Sequence, residues 1–216
     1  INRENSLVVW LFSCLVVCRI CSQLDYQQTD NRPLITNNQQ NNQTTKPLNN
    51  NNNKDMKTIE LNLKMMLVEQ SELTPEDNEL VEKAKKATEA SYAPFSKFRV
   101  GAALLLQNGV VVTGCNQENS VTPLTLCAER VTIFSSQAQY PDTPILTLAI
   151  AARNINGEFV NDPISPCGSC RQVILEHEVR YNQPIRILLY GKKGVLIADS
   201  IKTLLPFSFS VDSLSD

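Results

Sequence analysis

The sequence lacks the features of a protein that binds nucleic acid polymers. No stretch of five or more residues concentrates lysine and arginine without acidic neighbours, and 20 basic against 22 acidic residues give a formal net charge of -2. Proteins that bind nucleic acid polymers need a basic surface to neutralise the phosphates. Histidine is also scarce, since His177 is the only one in 216 residues. We therefore expect a small-molecule ligand and no polymeric nucleic acid.

The sequence also lacks an apolar run long enough to span a bilayer. Residues 7–18 form a nearly unbroken apolar run that is too short to span a bilayer, although it has the length of a signal-peptide core. Only Arg3 supplies positive charge before this run, and no small-x-small cleavage site follows it. The alternative, which we prefer, is that the residues before Met56 are an upstream or non-native extension. We expect no membrane partner.

The composition divides the chain into two parts. Asparagine and glutamine dominate residues 37–53, which therefore have almost nothing to bury, whereas apolar runs alternate with turn residues from Leu73 onward. We expect a disordered leader over residues 1–70 and one globular domain over residues 71–216. We assign no metal site to the three leader cysteines, Cys14, Cys18 and Cys21.

The patterns within the domain alternate between helix and strand. Thr74 and Pro75, followed by acidic residues, are typical of a helix start, and Asn108-Gly109 between two apolar runs indicates a hairpin. The expected order is a helix after Thr74, strands at 99–106 and 110–112, a helix at 127–139, a strand at 145–152, a helix at 170–178, and strands at 185–190 and 195–198. This order predicts an α/β fold of three layers, α/β/α, with a central mixed sheet of five strands.

Two expectations concern burial. In the 127–139 helix, Val131, Ile133 and Phe134 are candidates for the core. His177 follows the helix that begins at Cys170 and is remote from the other motifs, so we interpret it as a surface residue.

Cysteines provide the strongest functional signal. Cys167 and Cys170 lie three residues apart at the start of a predicted helix, where both thiols can reach one metal ion and the helix N-terminus favours thiolates. Taken alone, such a pair is equally typical of a redox motif or of two small buried residues. Cys127, at another predicted helix start, adds a third soft ligand, and Glu129 lies two residues further on. We interpret Cys115 as a small buried residue.

Three protein ligands leave a fourth coordination position open, as catalytic zinc sites do and structural ones do not. The sequence therefore predicts a catalytic zinc site. The order Cys-x-Glu followed by Pro-Cys-x-x-Cys is typical of zinc deaminases, in which the glutamate is the general acid and base. Residues 95–103, 114–119, 127–130 and 165–172 resemble segments of the cytidine deaminase family in the same order, and residues 204–209 are similar to its C-terminal segment. The resemblance covers the globular part and not the leader.

The resemblance implies hydrolytic deamination of free cytidine and 2'-deoxycytidine to uridine, 2'-deoxyuridine and ammonia, in pyrimidine salvage. Because three of the four cysteines in the globular part have the spacing of metal ligands rather than of a disulfide framework, a reducing cytoplasm is the expected location. It implies one zinc ion per subunit on Cys127, Cys167 and Cys170, with Glu129 moving protons. Arg130 and Arg171 resemble family arginines that hydrogen-bond the ligand sulfurs and so offset their negative charge.

The implied substrate contacts come from several segments. Asn116 and Glu118 occupy the positions that hold the ribose 3'-hydroxyl in the family. Phe98 occupies the position of a family aromatic residue that packs against the pyrimidine ring. The full implied set is Phe98, Asn116, Glu118, Ala128 and Phe209. The position of Phe209 implies a homotetramer, in which this residue reaches the pocket of a neighbouring subunit. The chain departs from the family pattern at Ser120, Thr122 and Thr125, in the loop before Cys127.

Three other functions remain open. A deaminase for another aminopyrimidine nucleoside, such as a blasticidin-type enzyme, shares the three-cysteine site, but Asn116, Glu118 and residues 95–103 favour cytidine. A deaminase of nucleic acids needs a basic path for the strand and usually carries histidine as its first ligand. A non-catalytic module stabilised by zinc would have a fourth ligand and no need of Glu129.

Overall fold

The computed structural model describes residues 57–214. The strands are β1 (Met66–Val68), β2 (Arg99–Leu106), β3 (Val111–Cys115), β4 (Ile145–Arg153), β5 (Arg186–Gly191) and β6 (Gly194–Ala198). The α-helices are α1 (Pro75–Ala87), α2 (Ala128–Gln139) and α3 (Gly168–Tyr181). Our interpretations of the apolar run, the Asn- and Gln-rich segment and the leader cysteines concern residues that lie outside the described part.

The strands form one mixed sheet in the order β1-β6-β5-β4-β2-β3. The three-layer α/β fold with a mixed sheet is confirmed, but the described part of the sheet has six strands rather than five. The additional strand is β1, which pairs antiparallel with β6 and precedes residue 71, where we placed the start of the domain. A three-residue strand that is mostly exposed is too short to leave a recognisable alternation in the sequence.

The strand directions bring two helix N-termini together. β2 is antiparallel to both β3 and β4, and β4 is parallel to β5, so β3, β4 and β5 all point the same way. The helix α2 connects β3 to β4, and α3 connects β4 to β5. Both helices therefore begin at the edge of the sheet where these strands end, which is the edge where α/β proteins commonly bind ligands.

Each face of the sheet has its own core. On one face α2 and α3 contribute Ile133, Ile174 and Leu175, and on the other α1 contributes Leu80, Val81 and Ala84. Gly101 in β2 allows α1 to approach closely, because a Cβ atom there would lie 2.2 Å from the carbonyl oxygen of Ala84. Gly114 in β3 similarly makes room for Thr132 of α2.

The local start and turn signals are confirmed. Thr74 caps α1, since its hydroxyl accepts a hydrogen bond from the Asp77 amide at 3.2 Å. Gly109, in the turn between β2 and β3, has a φ of 81°, which glycine adopts without strain. Within residues 57–214, none of the helices combines the length and the apolar character needed to cross a bilayer.

Two burial predictions are wrong. Phe134 is exposed on α2, while Ile133 is buried and Val131 is half-buried. His177 is only 5% exposed, because α3 continues beyond it to Tyr181 and its ring packs against α2, where Nε2 lies 3.0 Å from Nε2 of Gln137. Cys115 is buried, as expected.

Candidate metal and catalytic site

The three predicted metal ligands meet where α2 and α3 begin. Cys127 and Cys167 are the N-cap residues of α2 and α3, both with extended backbone, and Cys170 lies in the first turn of α3. Neither thiol makes a capping hydrogen bond, but both lie at a helix N-terminus, where the partial positive charge of the helix favours an anion. The three sulfur atoms all lie within 4.8 Å of one another.

The sulfur spacing fits a tetrahedral metal ion. Zinc–thiolate bonds of about 2.3 Å in a tetrahedron place sulfurs about 3.8 Å apart. The Sγ atoms of Cys127 and Cys167 are 3.8 Å apart, and those of Cys167 and Cys170 are 3.4 Å apart. Within residues 57–214 no fourth histidine, cysteine or carboxylate joins this cluster. The protein therefore supplies three soft ligands and leaves one coordination position to a water or a substrate.

Hydrogen bonding within the cluster lowers the pKa of Cys127 and raises that of Cys170, so it favours a thiolate at Cys127 and a protonated thiol at Cys170. A hydrogen bond from Cys170 lowers the pKa of Cys127 to about 5 against the effect of burial, and Arg130 adds to this lowering. The Arg130 guanidinium lies 3.9 Å from Sγ of Cys127 and donates a hydrogen bond of 3.0 Å to the carbonyl of Thr125. Because this contact uses the backbone of Thr125, the departure from the family pattern at that position leaves it intact. Arg130 thus lies where it can offset thiolate charge.

Glu129 brings a carboxyl group to the same helix start. Glu129 is only 4% exposed, and this burial raises the pKa of its carboxyl group. The nearby charge of Cys127 raises this pKa further. The side chain also interacts with the Cys170 thiol. A buried carboxyl group whose pKa is raised is suited to accept and release a proton near neutral pH.

Asn116 follows β3 at the same edge of the sheet and is 8% exposed. Its Oδ1 accepts hydrogen bonds from the Val100 amide at 2.8 Å and from the Ser91 hydroxyl at 2.5 Å, and its Nδ2 donates to the Phe98 carbonyl at 3.0 Å. Asn116 therefore holds the start of β2 in place. Sequence reasoning missed Ser91, which carries no motif that would single it out.

Glu118 holds the preceding turn. Its carboxylate accepts hydrogen bonds from the amides of Phe95, at 2.8 Å, and Ser96, at 3.3 Å. Lys97 in this turn has a φ of 59°, a left-handed conformation that is uncommon outside glycine. The two residues expected at the ribose thus also shape the segment that carries Phe98, which is half-buried.

The remaining predicted residues differ in exposure. Ala128 is fully buried, whereas Phe209 is 61% exposed. The Phe209 carbonyl accepts a hydrogen bond of 2.8 Å from Nε2 of Gln172 on α3, which keeps the C-terminal segment beside this helix. Arg171 donates hydrogen bonds to the carbonyls of Pro166 and Leu204, and no ligand sulfur is among its hydrogen-bond partners in the described part of the chain.

Comparison with known proteins agrees with this geometry. The model of the family described as "Cytidine and deoxycytidylate deaminase zinc-binding region" matches residues 74–182. A cytidine deaminase of Sporosarcina psychrophila is 40% identical over 136 residues, which are 63% of this chain and 93% of that protein. One of Halalkalibacterium halodurans is 33% identical over 63% of this chain and 96% of its own length. The crystal structure of cytidine deaminase from Burkholderia pseudomallei matches with a TM-score of 0.53 and 36% identity, over 63% of this chain and all of that one.

The chain belongs to the cytidine and deoxycytidylate deaminase family of hydrolytic enzymes. The metal of the matched region is zinc, and that region contains all three clustered thiols.

Proposed function

We propose that the protein hydrolytically deaminates free cytidine and 2'-deoxycytidine, which yields uridine or 2'-deoxyuridine and ammonia. The observation that carries the proposal is a buried glutamate, Glu129, beside a three-thiol cluster that leaves one coordination position open. A zinc site with only a structural role is closed by four ligands and needs no buried acid. The match to the family's zinc-binding region and the curated relatives named cytidine deaminase support the same reaction.

The reaction requires a nucleophile at C4 of the cytosine ring, a proton for N3 and a proton for the departing amine. Zinc held by Cys127, Cys167 and Cys170 supplies the Lewis acidity that makes a water nucleophilic at neutral pH. The Glu129 carboxylate takes one proton from the attacking water and delivers it to N3. It then takes the second proton from the new hydroxyl group at C4 and delivers it to the amine, which leaves as ammonia when the C4–N bond breaks. Its raised pKa suits both directions of transfer, because a carboxyl group with an ordinary pKa would hold the proton too weakly. Arg130 and the two helix N-termini offset the negative charge of the thiolates.

The sugar contacts limit the substrate to nucleosides. Each carboxylate oxygen has two lone pairs, so Glu118 can accept a ribose 3'-hydroxyl in addition to its backbone partners. Its negative charge would repel a phosphate at that position, so nucleotides and oligonucleotides are poor substrates. Phe98, which adjoins the Asn116 contact, packs against the pyrimidine ring in this proposal.

Apolar side chains around the site favour a homotetramer. One chain leaves large apolar residues exposed, among them Tyr92, Phe95, Leu124, Phe134, Phe207 and Phe209. A closed symmetric assembly would cover such surfaces and would complete an open site with a neighbour's side chain. In this assembly Phe209 of one subunit packs beside the base bound to another. Free thiols that bind zinc persist in a reducing compartment, which favours the cytoplasm and a role in pyrimidine salvage.

One experiment separates the alternatives. The purified full chain is analysed for zinc and incubated with cytidine, 2'-deoxycytidine, cytidine monophosphate, blasticidin S and a cytosine-containing single-stranded oligonucleotide, while ammonia release is measured. We expect one zinc per chain and release from the first two substrates. Preference for blasticidin S or the oligonucleotide would replace the proposed substrate, and zinc without any release would favour a non-catalytic module.

A further inference from the structure

Side chains of α3 hold the C-terminal segment at two separate places. At the far end of the helix, the buried Glu178 carboxylate accepts hydrogen bonds from the Ile201 amide at 2.9 Å and from the Ser200 hydroxyl at 2.8 Å. At the metal end, Arg171 and Gln172 hold residues 204–209. These two attachments can therefore be disturbed separately.

Arg171 differs from the other anchors because it bridges two segments. Its Nε donates a hydrogen bond of 2.8 Å to the carbonyl of Pro166, the residue directly before the thiol ligand Cys167. Its Nη1 donates a hydrogen bond of 2.9 Å to the carbonyl of Leu204. The side chain is partly buried, and each of these donors bonds a backbone carbonyl. The position of the loop before the cluster and the position of the C-terminal segment consequently depend on the same guanidinium.

We propose that Arg171 is a positioning residue that couples the metal cluster to the C-terminal segment of residues 204–209. Metal bound by Cys167 and Cys170 fixes the loop that ends at Pro166, and Arg171 transmits this order to Leu204. By thermodynamic linkage the ordered segment stabilises bound metal by the same factor. The coupling requires zinc binding but not deamination, so it can hold or fail independently of the proposed reaction.

The test measures both directions of the coupling in the full chain. Hydrogen–deuterium exchange is recorded for the zinc-loaded and the zinc-stripped wild-type protein, and the rate of zinc release to a chromogenic chelator is measured. We expect zinc removal to accelerate exchange in residues 204–209 more than at Ser200 and Ile201, which Glu178 holds. Arg171→Gln should accelerate exchange in 204–209 with zinc bound and should speed zinc release about 10-fold, the low end of losses for residues that support metal ligands.

Two variants are matched controls. Arg180 lies at the other end of α3, where it donates a hydrogen bond of 3.2 Å to the Pro141 carbonyl, so Arg180→Gln should change neither quantity. Gln172 contacts the Phe209 carbonyl, five residues beyond the Leu204 carbonyl that Arg171 holds. Gln172→Ala should therefore loosen residue 209 while Leu204 stays bonded to Arg171, and it should leave zinc release at the wild-type rate. Arg171→Lys keeps the charge but cannot span both carbonyls, and it should resemble Arg171→Gln.

Three results would overturn the proposal. The first is zinc release from Arg171→Gln at the wild-type rate. The second is equally fast release from Gln172→Ala, which would assign the effect to the segment rather than to Arg171. The third is that zinc removal from the wild-type protein accelerates hydrogen–deuterium exchange equally in residues 204–209 and in residues 200–201. This result needs no variant, so it decides the question even if the substitutions prevent folding.

Discussion

The metal cluster and the rim around it are built in different ways. The cluster residues belong to helix starts fixed by the sheet, and Glu129 and Cys170 are buried there. The rim consists of loop and C-terminal residues, and its aromatics Phe95 and Phe209 are more than 60% exposed. One chain thus supplies the three thiols and the buried acid by itself, whereas Phe95 and Phe209 remain open to solvent.

This difference separates two kinds of mutational effect. Substitutions in the cluster should act on the metal or on the chemical step, and should do so in each chain independently. Substitutions on the rim should act on substrate binding and on assembly while the metal stays bound. The predictions below test that separation, beginning with the largest expected effect.

Cys170→Ser should abolish both zinc binding and deamination. Cys170 is fully buried and supplies one of the three sulfurs of the cluster, so its loss leaves two thiols and a weak hydroxyl ligand. Metal analysis and ammonia release measure the two effects. Cys115→Ser is the matched control, because Cys115 is also a buried thiol but lies outside the cluster, and this variant should keep its zinc. Full zinc content in Cys170→Ser would remove Cys170 from the ligand set.

Glu129→Gln should retain zinc and lose deaminase activity by about 10²- to 10⁴-fold, the usual contribution of general acid and base catalysis. The amide has nearly the shape of the carboxyl group but cannot exchange the proton. The loss should fall on kcat. Glu76→Gln is the matched control, because Glu76 is also the second residue of its helix, α1, but is exposed. This variant should be fully active. Near wild-type turnover in zinc-loaded Glu129→Gln would exclude the proposed proton transfer.

Phe209→Ala should raise KM for cytidine about 10-fold, since removal of a packed aromatic contact costs on the order of 1–2 kcal/mol of binding. Zinc content should not change, because the hydrogen bond between Phe209 and α3 uses the backbone carbonyl of Phe209, which the substitution keeps. Steady-state kinetics and sedimentation would be measured together. Leu214→Ala, another exposed apolar residue near the C-terminus, should leave KM unaltered. A fully active monomeric wild type would contradict the shared site.

The parts of the structure that the sequence predicts differ in kind from those that it does not predict. The starts of α1, α2 and α3 depend on local chemistry, such as capping residues and motif spacing, and the sequence predicts them to within two residues. The edge strand β1 exists only through its pairing with β6, a long-range contact that no local pattern encodes.

The errors within the domain have the same origin. Phe134 is apolar at a helical position, but which face of α2 meets the sheet depends on how the whole layer packs. The role of Arg171 shows the limit most clearly. The family resemblance implied a contact between Arg171 and a ligand sulfur, whereas its hydrogen bonds join Pro166 to Leu204, residues that lie far apart in the sequence.

The last prediction concerns stability rather than activity, because the contact between the two helices that carry the cluster depends on pH. His177 of α3 is buried against Gln137 of α2, and burial lowers its pKa to about 4 from an ordinary value of 6.5, with a contribution from Arg180. The amide of Gln137 is oriented because its Oε1 accepts hydrogen bonds from Tyr181 and Arg180, so its Nε2 donates to a neutral imidazole. Protonation of His177 would place two donors opposite each other.

A base with a lowered pKa in the folded state is protonated first in the unfolded state. His177 therefore contributes its full share of stability above pH 6.5 and loses it as the pH falls from 6.5 to about 4, by at most about 3 kcal/mol. His177→Gln cannot take up this proton. As the pH falls from 6.5 to about 4, the unfolding free energy of wild type should therefore decrease relative to that of the variant. Above pH 6.5 the difference between the two proteins should stay constant. Denaturant titrations of zinc-loaded protein between pH 4 and 8 measure this difference, in which effects common to both proteins cancel.

Glu176→Gln, at the exposed neighbouring position, should keep the dependence on His177. A difference between wild type and His177→Gln that does not vary from pH 6.5 to 4 would show that the imidazole is not held neutral by its burial between the helices.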